Sequence, residues 1–275
     1  MIEIKNLDFA YKKQVVFNNI SLSFEKGNIY GLLGENGVGK TTLLKLVSGL
    51  QQPNVGTCRV DEVDPFKRLP ETLQKMYFIS EDFAIPDGTP EKNVKSIGVF
   101  YPNFDLNLFR ELCKDMEVDP TRKFSEMSFG QQKKSLIATA LSLNTDYLFL
   151  DEPTNGLDIP SKTQFRKAIM KYTADDSVIV ISTHQVRDLE NIIDPIIILD
   201  KQDVLLNASV EEIESKLYFD YGTIAKPDAL WTESVPGGFI QVRSNTEGME
   251  SKINVEALFN AVHTNKEAIK SIFTK

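Results

Sequence analysis

Residues 34 to 41 read Gly34-Glu35-Asn36-Gly37-Val38-Gly39-Lys40-Thr41 and fit the spacing Gly-x-x-x-x-Gly-Lys-Ser/Thr. Such a loop can do one kind of chemistry well, which is to meet the several negative charges of a polyphosphate with donors fixed in advance. Glycine lets the main chain approach closely. Successive amides form an anion-binding concavity, and the N-terminus of a following helix adds unpaired N–H groups and a positive dipole. Lys40 would reach the β and γ phosphates, and the Thr41 hydroxyl would ligate magnesium. A second constellation, Tyr147-Leu148-Phe149-Leu150-Asp151-Glu152, is an apolar run ending in two carboxylates. Asp151 can hold a metal that bridges the β and γ phosphates, and Glu152 can polarise an attacking water as a general base. Each motif has a plain alternative, a glycine turn with a stray lysine or two acids opening a loop. Together they predict a nucleoside triphosphate site. The guanine-reading pattern Asn/Thr-Lys-x-Asp is approached only by Asn265-Lys266-Glu267-Ala268, which lacks the aspartate, so adenine is favoured.

The elements that must position these groups follow from periodicity. Tyr30 to Leu33, Met76 to Ile79, Tyr147 to Leu150, Val178 to Ile181 and Ile196 to Leu199 are apolar throughout, the mark of strands covered on both faces in a parallel sheet. Leu43, Leu44, Leu46, Val47 and Leu50 follow the glycine loop at helical spacing, as do Leu136, Ile137, Ala140 and Leu141 within Gln131 to Leu143. Ile2 to Tyr11 and Val15 to Phe24 alternate instead and predict an antiparallel sheet joined at Lys12-Lys13-Gln14. The expected fold is therefore α/β: a P-loop nucleotide-binding core with a mostly parallel sheet, an N-terminal antiparallel β subdomain, a helical insertion and a small α+β C-terminal extension. The ATPase domain is placed at residues 1–217, with the insertion at about 84–130 and helices around Asn93 to Phe100 and Leu106 to Met116. The extension, residues 218–275, carries an expected strand at Phe239 to Val242, a turn at Gly237-Gly238, and helices at Val255 to His263 and Lys266 to Phe273.

Composition bounds the function. With 41% hydrophobic and 25% charged residues in 275, this is an ordinary globular protein large enough for a substantial core. A net charge of −8 without clustered Lys and Arg argues against nonspecific nucleic-acid binding. No apolar stretch approaches the roughly 20 residues that span a bilayer, and Met1-Ile2-Glu3-Ile4-Lys5 is not a secretory signal. Cys58 and Cys113 suit a reducing cytosol as packed thiols.

Met127-Ser128-Phe129-Gly130-Gln131, ahead of the acidic strand, is similar to the signature Leu-Ser-Gly-Gly-Gln of the ATP-binding-cassette family. Gly156-Leu157-Asp158 and Ser182-Thr183-His184 follow in that family's order, so the chain resembles it over roughly Met1 to Leu217. The resemblance implies ATP and Mg2+ as ligands. ATP would be gripped by Asn36, Gly37, Val38, Gly39, Lys40, Thr41 and Thr42, with Tyr11 stacking on adenine unless it is only a core or surface tyrosine. His184 would contact the γ phosphate, and Thr41 and Asp151 would hold the metal. Ser128, Phe129, Gly130 and Gln131 would act on ATP bound by a second copy or a related cassette, in a head-to-tail pair across which Asp158 communicates. Two residues depart from the pattern. Glu81 stands where a glutamine is usual and is expected to reach magnesium and the attacking water still. Phe129 replaces a glycine.

The family's commonest task implies a motor subunit for a separate membrane permease, held at the cytoplasmic face of the cell membrane. The segment Phe100 to Asp105, the short insertion and the extension resemble exporter-type members. A cytosolic cassette working on ribosomes or DNA is the alternative, and it lacks here the paired cassettes or coiled coil of those groups. A module that binds ATP without hydrolysis is disfavoured by Lys40, Asp151, Glu152 and His184.

Overall fold

In a computed structural model describing residues 1–273, the chain opens with two long strands, β1 (Ile2–Tyr11) and β2 (Gln14–Phe24), turning at Lys12-Lys13. Then come β3 (Asn28–Leu33), α1 (Lys40–Val47), β4 (Val55–Val60), the short α2 (Pro70–Leu73) and β5 (Met76–Ile79). A helical stretch follows, α3 (Pro90–Gly98), α4 (Leu106–Asp115) and α5 (Phe129–Ser142). The sheet resumes with β6 (Tyr147–Asp151), α6 (Ile159–Tyr172), β7 (Val178–Thr183), β8 (Ile196–Asp200), β9 (Asp203–Ala208) and α7 (Val210–Lys216). The chain then runs through β10 (Leu217–Gly222), β11 (Trp231–Val235), β12 (Gly238–Ser244), α8 (Val255–Thr264) and α9 (Lys266–Phe273). Residues 274 and 275 of the extension lie outside the described part.

The main sheet has the order β5-β6-β7-β3-β8-β9, parallel except for the antiparallel edge strand β9. All five apolar runs are strands in it. Their alternation feeds two separate cores. Leu148, Leu150, Ile179, Ile181, Ile196 and Ile198 join the cluster on one face, with α4, α5 and α6. Tyr147, Phe149, Val178, Val180, Ile197 and Leu199 join the cluster on the other. This second cluster is closed by the antiparallel sheet β2-β1-β4, so α1 is buried between two sheets, with Leu43, Leu44, Leu46 and Val47 all in contact with it. A side chain of that size contributes roughly 1.5–3 kcal/mol on full burial, which seats α1 firmly at the end of β3.

Three strands were not evident from periodicity. The third strand of the antiparallel sheet, β4, buries only Cys58 and Val60. The extension forms its own sheet, β10-β12-β11, whose strands are mostly half-exposed. Gly237-Gly238 turns β11 into β12 as expected, with Val235 paired to Gly238. From the extension, Val242, Ile253, Leu258, Val262 and Ile269 enter the same apolar cluster as Ile196, Ile198, Leu206 and Ile213. Lys266 and Lys270 pair with Asp200 and Asp203 at the β8–β9 end. Cys58 and Cys113 are buried free thiols, both pushed up to about 12 first by burial. Among the described residues no helix is long and apolar enough to cross a membrane.

Candidate functional site: a phosphate cradle facing two carboxylates

The glycine loop is held open by its own backbone. Gly37 has φ +84° and open space where a Cβ would stand. Gly39, at φ +114°, passes so close to β2 that a Cβ would sit 2.8 Å from Val16 and from Phe17. Lys40 is the first residue of α1 and is 6% exposed. Its ammonium donates to the carbonyls of Gly34 at 2.7 Å and Glu35 at 3.2 Å, which leaves one of its three N–H donors for the cleft.

Strand order brings the acids to this loop. Asp151 ends β6, one strand removed from β3, beside Ser182 of β7. The Ser182 hydroxyl donates to Asp151 Oδ1 at 2.6 Å, and the Thr41 hydroxyl donates to Asp151 Oδ2 at 2.8 Å. One hydroxyl and one fixed carboxylate fit the protein share of a magnesium shell, whose other ligands are phosphate oxygens and water. Glu152 is 4% exposed and has φ +47°. Its Oε1 is buried without an aligned hydrogen-bond donor, although His184 Nδ1 lies 2.9 Å away and Lys40 Nζ 3.5 Å away. A buried carboxylate oxygen in that position can accept a proton from a water drawn between it and a phosphate.

Gly37, Gly39, Lys40, Thr41, Glu152 and His184 surround one cleft of about 410 Å³, whose walls also include Tyr11, Gln14, Asn36, Thr42, Glu81 and Asn155, while Val38 and the 1% exposed Asp151 are not part of its wall. Tyr11 stands at its rim, 39% exposed, with its ring edge-on to Phe9. Glu81 Oε1 accepts from Asn155 Nδ2 at 2.6 Å.

Ser128, Phe129, Gly130, Gln131 and Asp158 lie outside the cleft within one chain. Ser128 caps α5 in a reciprocal box: its hydroxyl accepts from the Gln131 amide at 3.3 Å, and Gln131 Oε1 accepts from the Ser128 amide at 3.1 Å. Phe129 turns sideways, stacked on Phe83 with centroids 5.5 Å apart. It also packs over Gly156, where a Cβ would sit 2.8 Å from its ring. The α5 tip at Gly130 is left uncovered, a Cβ there meeting only Leu157 at 3.7 Å. Asp158 caps α6 by accepting from the Ser161 amide at 2.9 Å, and the bonds from Ser161 hold its carboxyl below the usual range.

Sequence reasoning passed over Asn155 and Lys133. Lys133, on α5, is 1% exposed and donates to the Glu152 carbonyl at 2.6 Å and the Asn155 carbonyl at 2.8 Å. Burial pushes its ammonium down to about 8, with Glu81, Glu152 and Asp151 drawing it back up. A charged residue at a position that helical spacing turns inward was the signal available.

A parallel sheet with a glycine loop at the end of β3 and paired carboxylates one strand away defines a P-loop nucleoside triphosphate-binding protein. The chain belongs to the ABC transporter family, whose model matches residues 17–155, and it is an ATP-binding subunit and ATPase of that family. It is 31% identical over 219 residues to the ABC transporter ATP-binding protein NatA of Bacillus subtilis, covering 74% of this chain and 87% of that one. Similarity to YtrB of the same organism is 29% over 218 residues, 78% of this chain and 74% of YtrB. The Nod factor export ATP-binding protein I of Burkholderia lata is 28% identical over 235 residues, 82% and 77% of the two chains. Among solved structures, a dimeric ATP-binding cassette in a post-hydrolysis state with ADP and phosphate has the same fold, with a TM-score of 0.66 at 22% identity over 76% of this chain and 98% of that one.

Proposed function

We propose that the chain is the motor subunit of a transporter whose membrane permease is a separate polypeptide, and that two cassettes close head to tail around ATP to drive export. The observation that carries this reading is the division of the site: cradle, Glu152 and His184 share one cleft, with Asp151 bonded to Thr41 in its wall, while the capped tip of α5 at Ser128 is exposed and outside it. A helix N-terminus with open donors suits a phosphate presented by another subunit. The relative named for Nod factor export and the dimeric cassette of the same fold support the direction and the pairing. Residues 1–217 would form the ATPase unit and 218–275 an appendage, placed on the cytoplasmic face of the membrane by the permease.

In this reading Lys40 meets the β and γ phosphates with its remaining donor while the loop amides from Asn36 to Thr42 hold the rest, and Tyr11 covers adenine. Bound Mg2+ would neutralise charge shared by the β and γ phosphates. Thr41 and Asp151 would hold it, with Glu81 beside them. Glu152 takes the proton of the attacking water, and His184, whose Nδ1 lies 2.9 Å from its Oε1, contacts the γ phosphate beside it. From the partner cassette, Ser128, Phe129, Gly130 and Gln131 would close on the γ phosphate, with Asp158 at the seam.

Replacing Glu152 by Gln tests the assignment. ATP binding should persist, turnover should fall by about 10²–10⁴-fold, and a dimer should accumulate in light scattering. Parental turnover would refute the base. Co-purification with a multispan membrane protein, and stimulation of ATP turnover by a transported compound, tests the transport reading against a cytosolic role.

A further inference from the structure

Buried lysines are uncommon unless something specific holds them. The ammonium of Lys133 lies on the inner side of α5, one helical turn from the Ser128–Gln131 cap. Both of its hydrogen-bond acceptors are main-chain carbonyls of the turn that follows β6, those of Glu152 and Asn155. That turn is the one in which Glu152 adopts φ +47°, a left-handed conformation that a residue with a side chain rarely takes unless its surroundings impose it. The Glu152 amide is held from the opposite side, donating to the Ser182 carbonyl at 3.2 Å. The residue that carries the carboxylate is therefore fixed at both its carbonyl, by the Lys133 ammonium, and its amide, by Ser182. The same turn extends through Asn155 Nδ2 to Glu81 at 2.6 Å. On the α5 side, the Lys133 ammonium sits 5.8 Å from the centre of the Phe129 ring.

We propose that Lys133 is a positioning residue for hydrolysis: its ammonium clamps the Glu152–Asn155 turn, aiming the Glu152 carboxylate, and ties that aim to the α5 tip and, through Asn155, to Glu81. The inference rests on Glu152 being the general base. The clamp touches no phosphate-binding group of the cradle, so its loss should affect the chemical step and leave nucleotide affinity alone. Glu81 in the loop after β5, and Glu152 and Asp151 at the end of β6, are the carboxylates whose charge favours the ammonium there. They make a cation the suitable clamp at this point in the fold.

The test is steady-state ATP turnover and fluorescent-nucleotide binding on the full chain for Lys133→Met, Glu152→Gln and the double variant. Lys133→Met should lower kcat at least tenfold with KM and nucleotide affinity within twofold, and it should cause no further loss in the Glu152→Gln background, because both changes act on one group. Parental kcat in Lys133→Met, a parallel loss of affinity, or an independent further loss in the double variant would overturn the clamp. If the methionine variant does not fold, Lys133→Gln is read by the same criteria, since its amide is too short and uncharged to span both carbonyls. Should Glu152→Gln itself retain parental turnover, it is the base assignment that falls. Loss of turnover in Glu152→Gln with parental turnover in Lys133→Met removes only the clamp.

Discussion

Lys40 and Glu152 are both nearly sealed from solvent, and their charged atoms stand 3.5 Å apart. Such a pair is costly to bury unless each member has further partners. The lysine has two loop carbonyls, and the carboxylate oxygen has an unaligned histidine nitrogen. An arrangement with one donor to spare and one acceptor unfilled is complementary to a phosphate and a water. Lys40→Ala should therefore weaken ATP binding by an amount typical of a hydrogen bond to a charged group, about 1.5–3 kcal/mol, or roughly 10- to 150-fold in affinity. Titration calorimetry returning parental affinity would contradict this. At this scale the meeting of the cradle, Glu152 and His184 at one cleft, with Asp151 bonded to Thr41, was legible because each belongs to a spaced motif. Asn155 and Lys133 were not. Their roles arise from contacts across 22 positions of sequence, Lys133 to the Asn155 carbonyl, and no local pattern encodes such a contact.

Helix α5 links the two ends of the problem, with its cap at the solvent-facing tip and its buried face under the carboxylates. Ser128→Ala removes one side of the capping box and should cost about 1 kcal/mol of stability by urea unfolding. In the reading proposed above it should also slow turnover by the paired protein without changing ATP affinity of the single chain; equal turnover would argue against a role for this tip. A second junction joins the turn after β4 to β6. Burial alone would raise the Asp61 carboxyl, but hydrogen bonds from Tyr147 at 2.6 Å, from Lys75 at 2.9 Å and from the N-terminal amine at 3.0 Å bring it well below the usual range. A carboxyl depressed on folding contributes stability above its unfolded pKa of about 3.9, and that contribution is lost as pH falls through the lower folded value. Asp61→Asn should thus melt below the parent at pH 7, with the gap closing below about pH 4. A gap that stays constant with pH would show that the carboxylate charge is not what matters. Among elements, the five parallel strands were legible since both faces are buried, and α8 and α9 since their apolar spacing is regular. Strands β10 and β11 escaped because half-exposed strands of a small sheet leave no apolar run, and α6 escaped because its buried positions reduce to Ser161, Phe165, Ala168 and Ile169.

For the whole molecule, the continuous apolar cluster decides cooperativity. Leu258 of α8 is fully buried in the cluster that also contains Ile198 of β8 and Leu136 of α5. Truncating it to Ala should cost about 2–5 kcal/mol, and unfolding followed by circular dichroism and by Trp231 fluorescence should move together to lower urea. Separate shifts in the two signals would mean that the extension melts by itself. The same continuity lets the extension brace the edge of the main sheet at β8–β9, where Asp200 and Asp203 meet Lys266 and Lys270.

Sequence alone determined the chemistry of the site and the sheet that carries it, because phosphate binding needs glycines and a lysine at fixed spacing and doubly covered strands need unbroken apolar runs. Tertiary structure decided what lies beyond local spacing: that Asp151 meets Thr41 across 110 positions, that Phe129 turns onto Phe83, and that Lys133 closes on the Glu152 turn. Those contacts depend on strand order and on how α5 packs against the sheet, and both are settled by the burial of the chain as a whole.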